Sequence, residues 1–236
     1  MKTDFRNVNE FIGWDKAEEF VKQIIKENSI KTILELGAGA NPTINPMYIA
    51  TNKLSYTITD NNLDELTKAD NIYAKEELDL NIETISHHKK YDLIFSRMVG
   101  EHIQNGSYFH QNIYSLLNSG GIAFHCFSTL YSLPFLINRL FPETVSDALL
   151  KMFAPRDKHK HGKFRAYYSW CRGPSVKMIE RYEKIGYNIV EYIGYYGHNY
   201  YRNISLLNEL EKIKTKMLIK NKITYLTSYA HIILKK

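Results

Sequence analysis

Residues 33–42 read ILELGAGANP, a short apolar run that breaks on Gly37 and Gly39. Glycines at such a break let the backbone bend tightly and let a ligand lie against it. The run from Thr32 to Leu36 has the length and composition of a buried strand. In an open α/β sheet, ligands bind beyond the carboxyl ends of the strands, at the switch point beside the first central strand. The question is therefore which ligand this turn holds. A dinucleotide fold would place a third glycine where this chain has Pro42. A phosphate-cradling P-loop would need Gly-Lys-Ser/Thr, which does not follow here. Both phosphate readings are weakened, although Gly-x-Gly alone discriminates poorly.

Outward from the turn, strand and helix patterns alternate. WDKAEEFVKQIIKEN (14–28) spaces its apolar residues as an amphipathic helix. SYTITD (55–60) is a β-branched strand, and NNLDELTKAD (61–70) a helix capped by Asn61 or Asn62. IYAKEELDL (72–80) is a weaker strand, YDLIFS (91–96) a strong one, and residues 103–117 a helix closing on NSGG. IAFHCF (122–127) is the fifth strand. The rhythm breaks over 128–172, then resumes with a helix (175–186), a strand (187–196), a helix (204–219) and a last strand (223–234). Such alternation predicts a mainly parallel sheet covered by helices on both faces. The chain reads as one domain over 1–236, with 128–172 an insertion too long for an ordinary connection.

The acids narrow the ligand. Glu35, just before the turn, would repel a pyrophosphate but suits a cationic amino group, directly or through water. Asp60, ending the second strand, is placed to accept both hydroxyls of a ribose, and Asp79 to accept from an adenine amino group. One such acid alone is often a helix cap. Three in this order describe a ligand with an α-amino acid, a ribose and an adenine, which is S-adenosylmethionine.

With ELGAGANP, YTITDNN, EELDL and YDLIFSRMVGEHI in this order, the chain resembles the class I S-adenosylmethionine-dependent methyltransferases. The resemblance covers about residues 30–127 well and the final helix–strand–helix–strand pattern loosely. It implies a Rossmann-like fold with a seven-stranded sheet whose last strand is antiparallel. It implies that Glu35, Gly37, Ala38 and Gly39 hold the methionine part, Asp60 and Asn61 the ribose, and Asp79 with Leu80 the adenine. Ser96 and Arg97 would lie beside the sulfonium. The stretches FHCFSTLYSLPFLINRLFPE and HGKFRAYYSWCRGPS are also similar to methyltransferases of bacterial surface-polysaccharide (capsule or O-antigen) clusters.

For the acceptor, the Asn/Asp-Pro-Pro-aromatic motif of amino-group methyltransferases acting on DNA is replaced by SRMVGEHI. Histidine can take a proton near neutrality, which makes His102 and His161 candidate bases. Tyr168 joins them in the insertion. By analogy with the Glu-His of related methyltransferases, His102 equally suits a structural role. His125, inside a strand, suits core packing or acceptor contact, and His87, His88 and His159 suit the surface or the insertion. Lys163, Arg165 and Arg172 offer cations for phosphate or carboxylate, and Tyr167 and Trp170 offer flat rings for sugars or bases. Nine of the 18 tyrosines fall between residues 167 and 201, around GYYGHNYY with His198, as a lid or a tyrosine-rich small core would have them.

Net charge is +6 over 236 residues, with 44% hydrophobic and 24% charged side chains. These values suit a soluble globular protein with a modest preference for anionic partners. The basic cluster 155–165 concentrates that charge, whereas KIKTKMLIKNK (212–222) reads as the solvated face of a helix. Two cysteines do not make a disulfide framework, and neither a secretory leader nor an 18-residue apolar run is present, so the expected compartment is the cytoplasm. No metal is expected. The leading reading is O-methylation of a small anionic or sugar acceptor, such as a nucleotide sugar, a capsule glycan or a phosphoramidate-like substituent. An RNA or nucleotide methyltransferase, or a non-catalytic cofactor-binding protein, are the alternatives.

Overall fold

The computed structural model describes residues 1–85, 89–132, 135–136, 139, 165–201 and 203–236. Its strands are β1 (Lys2–Asn7), β2 (Thr32–Leu36), β3 (Ser55–Asp60), β4 (Ala74–Glu77), β5 (Tyr91–Arg97), β6 (Leu117–Ser128), β7 (Asn188–Tyr196) and β8 (Tyr229–Lys235). They form one sheet in the order β1-β7-β8-β6-β5-β2-β3-β4. Every pairing is parallel except the two made by β8, which runs antiparallel to β6 and β7. The carboxyl ends of seven strands therefore share one edge of the sheet, and β8 starts there.

Helices α1 (Ala17–Glu27), α2 (Pro46–Thr51), α3 (Leu63–Thr67), α4 (Gly106–Leu116), α5 (Val176–Ile185) and α6 (Ser205–Lys220) connect or flank the strands. Their starts are set by side chains the sequence advertises. Asn45, Asn62, Asn105 and Ser175 each accept from backbone N–H groups of the turn they open, and Pro46 occupies the first turn of α2. Gly186 ends α5 at φ 113°, a left-handed value that glycine adopts without strain. The core lies on the central strands, where Ile33–Leu34, Leu93–Phe95 and Ile122–Phe127 are buried at consecutive positions, hence on both faces.

Four elements differ from the sequence expectation. The sheet has eight strands, because Lys2–Asn7 adds a parallel edge beside β7. That segment is polar and largely exposed, with no apolar alternation to announce a strand. β4 spans only Ala74–Glu77, since pairing with β3 ends at Asp60↔Glu77. Gly120 and Gly121 lie inside β6 rather than stopping a helix: Gly120 takes φ 76°, and a Cβ at Gly121 would crowd the Asn118 and Tyr91 carbonyls. The last strand begins at Tyr229, after a 3-10 turn over Thr224–Leu226.

Candidate functional site

The turn after β2 is built as a concave backbone. Gly37 and Gly39 take φ 64° and 49°, in the left-handed region where side chains are strained. A Cβ on Gly37 would overlap Val99 Cγ2, so the turn after β5 packs directly on this glycine. A Cβ on Gly39 would stand 3.5 Å from Asp60 Oδ2, filling the space in front of that carboxylate. Backbone bonds tie the neighbouring strand ends together, Ala38 N–H to Thr59 O at 2.9 Å and Leu78 N–H to Asp60 O at 3.1 Å. Gly37, Ala38, Gly39, Asp60 and Asn61 thus meet at one edge of the sheet, and Asp79 with buried Leu80 follows one strand further out.

The acids in this edge differ in availability. Glu35 is 2% exposed, and each of its carboxylate oxygens accepts two contacts. Thr43 N–H reaches both at 3.0 Å, Thr43 Oγ1 donates to Oε1 at 2.5 Å, and the Tyr56 hydroxyl donates to Oε2 at 2.5 Å. A carboxylate has about four acceptor positions, so Glu35 holds the Asn41–Thr43 loop in place and can act on a ligand amine only through its charge. Burial raises its pKa, opposed by the Thr43 and Tyr56 hydrogen bonds and by Arg97. Asp60 is half-buried. Its Oδ1 accepts from Asn62 N–H at 3.0 Å, and burial together with nearby Glu65 raises its pKa. Backbone N–H groups of Asn62, Asn61 and Gly39 oppose that rise. Asp79 is exposed beyond the end of β4 and accepts from Asn81 N–H at 2.8 Å.

Two cavities open here. One of about 330 Å³ is lined by Glu35, Leu36, Gly37, Ala38, Asn41 and Arg97. The other, about 650 Å³, lies between the Gly13–Glu18 segment and the turns at Asn41–Thr43 and Arg97–Met98, with Trp14 in its wall. Asn41 and Arg97 belong to both. Met98 takes φ 58°, an uncommon conformation for a long side chain, at the junction of these spaces. Ser96 points elsewhere: fully buried, its hydroxyl is 2.8 Å from His125 Nδ1.

The described part of the 128–172 segment clasps the turn after β5. Glu101 O accepts from the N–H groups of Tyr167 and Tyr168 at 2.7 and 2.9 Å. Gln104 Nε2 donates to the Tyr167 hydroxyl at 2.9 Å, and His102 Nδ1 lies 2.9 Å from Arg165 O. A carbonyl can only accept, so Nδ1 is the donor in this contact. His102, Arg165, Tyr167 and Tyr168 are thus neighbours, Tyr168 buried and at φ 51°. His87, His88, His159, His161 and Lys163 lie outside the described residues.

Other residues named from sequence sit deeper or further off. His125 is buried in β6, and burial pushes its pKa down to about 3. Trp170 stacks on His110 at 5.5 Å and meets Tyr182 edge-on at 5.4 Å. Arg172 turns its guanidinium to the Tyr168 and Cys171 carbonyls at 2.5 and 2.9 Å. His198 is buried after β7, 3.4 Å from Glu211, with β8, β6 and β5 between it and the glycine turn.

Sequence reading missed several contributors. Thr43 and Trp14 lie outside the site motifs, and Tyr56 and Met98, though inside YTITDNN and YDLIFSRMVGEHI, reach the site only through folding. Glu101 had a signal, the acid of VGEHI. It is buried, Oε1 accepts from Ser128 Oγ at 3.0 Å, and Oε2 finds no hydrogen-bond partner among the described residues. Burial raises its pKa, with His102 opposing.

Comparison with known proteins agrees with this geometry. A protein-family profile described as a methyltransferase domain matches residues 6–172, and the chain belongs to that family: it is a methyltransferase. The fold is shared with an S-adenosylmethionine-dependent methyltransferase from Clostridium acetobutylicum ATCC 824, at TM-score 0.56 and 14% identity over 96% of this chain and 92% of that one. A second such enzyme, from Archaeoglobus fulgidus, gives TM-score 0.53 and 15% identity over 93% and 94%. Haemonchus contortus phosphoethanolamine N-methyltransferase 2, solved with S-adenosyl-L-methionine, gives 0.54 and 14% over 94% and 52%. No curated protein matches the sequence. Among the described residues no helix is long and apolar enough to cross a membrane, and no cluster of three His, Cys, Asp or Glu could hold a metal ion.

Proposed function

We propose that this chain uses S-adenosylmethionine to O-methylate a small anionic or sugar acceptor. The cofactor supplies an electrophilic methyl on a sulfonium; the protein has to orient it and present the acceptor in line. The residues at the glycine turn fit that cofactor. The space a Cβ on Gly39 would fill, in front of the half-buried Asp60 carboxylate at the end of β3, suits a ribose diol. Gly37 and Ala38 offer close backbone, Asp79 and Leu80 an adenine edge, and Glu35 a negative potential for the amino group.

Arg97 carries the acceptor reading. Its exposed guanidinium lines both cavities. A fixed cation beside a sulfonium is repulsive unless an anion joins it, and Glu35 is already engaged by Thr43 and Tyr56. An acceptor carrying phosphate or carboxylate in the larger cavity, with its flat part against Trp14, satisfies that requirement. For a hydroxyl acceptor a proton must leave, and His102, beside the turn after β5, is the candidate to take it.

The test is a mass-spectrometric screen for gain of one methylene across anionic, neutral and cationic acceptors, with Arg97→Ala as control. Methylation confined to anionic or sugar acceptors, lost in Arg97→Ala for the anionic ones while calorimetric cofactor affinity holds within about threefold, is expected. Methyl transfer only to cationic acceptors, or to neutral ones that are not sugars, would overturn the acceptor class.

A further inference from the structure

The lysine-rich end of the chain presents more than a solvated charged face. On α6, Leu206, Leu210, Ile213 and Met217 are 71%, 53%, 55% and 58% exposed. Their spacing of four, three and four residues aligns them in one stripe, as the a and d positions of a heptad repeat do. The buried residues of the same helix, Glu211, Thr215 and Leu218, lie on another side, so the stripe faces away from the body of the protein. Scattered apolar residues on a surface need no explanation. Four in heptad register do.

We infer that α6 is a self-association seam, across which a second copy of this chain packs its own α6 antiparallel about a two-fold axis. In that register Leu206 of one copy lies opposite Met217 of the other, and Leu210 opposite Ile213. The flanking charges select this arrangement. Glu209 and Lys216 both border the stripe, and the antiparallel pairing sets each against its opposite on the other copy, twice per dimer. Within one chain, Glu209 pairs with exposed Lys212 at 2.6 Å, a surface pair of little energetic weight. Lys214, on the other flank, is already tied to Glu211 at 2.5 Å. A parallel pairing would set Lys220 against its own copy, whereas the antiparallel one sets it against uncharged Asn203. The helix has 16 residues, about 24 Å of length. That is short for a standard interface of about 800 Å² per partner, so the dimer is weak, with Kd of order 10–100 μM. The inference does not depend on the catalytic reading.

Sedimentation equilibrium of the full chain across that concentration range tests it, with thermal melts confirming that each variant folds. Dimer should accumulate with concentration, and Ile213→Glu should leave monomer. Glu209→Lys alone and Lys216→Glu alone should each weaken association about tenfold, and the double reversal should restore it. Monomer at every concentration, a dimer indifferent to Ile213→Glu, or a double reversal that fails to recover would each overturn the seam. So would a wild-type chain that stays monomeric yet floats with phosphatidylglycerol vesicles.

Discussion

The two halves of the sheet put titratable side chains to opposite uses. From β5 out to β4, Arg97, Asp60 and Asp79 stand at strand ends, beside open cavities or in water. From β6 out to β1, comparable groups are locked together inside. His231 Nδ1 lies 2.8 Å from the Tyr195 hydroxyl, its Nε2 2.7 Å from Glu191, and Glu191 3.1 Å from Lys2. His125 meets Ser96 at 2.8 Å and packs near His110, whose Nδ1 has no hydrogen-bond partner among the described residues. A group that keeps access to water can exchange water for a ligand. A group whose partners are fixed on folding reports its charge as stability instead. The same residue types therefore read as function on one side and as structure on the other.

The comparison is most exposed to failure at Asp60. Asp60→Ala should weaken calorimetric S-adenosylmethionine binding by about 1.5–3 kcal/mol, the worth of a charge-assisted hydrogen bond, while leaving the melting temperature nearly unchanged. Unchanged affinity in a folded variant would remove the open half's claim to the cofactor.

The sealed half should answer to pH. Burial lowers the His125 pKa to about 3 and that of His110 well below its usual 6.5. The unfolded chain takes up these protons below about pH 6.5 and the folded chain does not. Stability is thus complete above that value and is lost as pH falls from 6.5 toward 3, by about 1.4 kcal/mol for each imidazole at pH 5.5. Denaturant unfolding at pH 7.5 and 5.5 measures this. His110→Phe should remove its share of the slope without destabilising at pH 7.5, since it replaces an unpartnered buried polar atom. An unchanged slope in that variant would break the comparison.

The smallest effect sharpens the boundary between sealed and solvated. Glu191 titrates at about 2, held low first by His231 and then by Lys2. Lys2, however, is 60% exposed, so Lys2→Ala should change thermal stability by less than about 1 kcal/mol. A larger loss would show that β1 is part of the cooperative interior rather than an edge.

Much of the open half was legible along the chain. ELGAGANP, YTITD and YDLIFS announce strands by apolar or alternating runs that end in glycine or acid, and a site at strand ends puts its residues just after those runs. Less of the other half was. β1 is polar and gains its strand geometry only from β7. Gly120 and Gly121 look like a helix stop yet lie in β6, because pairing with β5 and β8 overrides local preference.

By itself the sequence determined the alternating architecture, the glycine turn and the order of the acids, since those depend on periodicity and on local backbone freedom. Only the tertiary structure decided that Glu35 is spent on Thr43 and Tyr56, that Arg97 faces two cavities, and that the stripe on α6 is exposed. Each of these depends on which residues distant in sequence arrive within a few ångströms, and no local pattern encodes that distance.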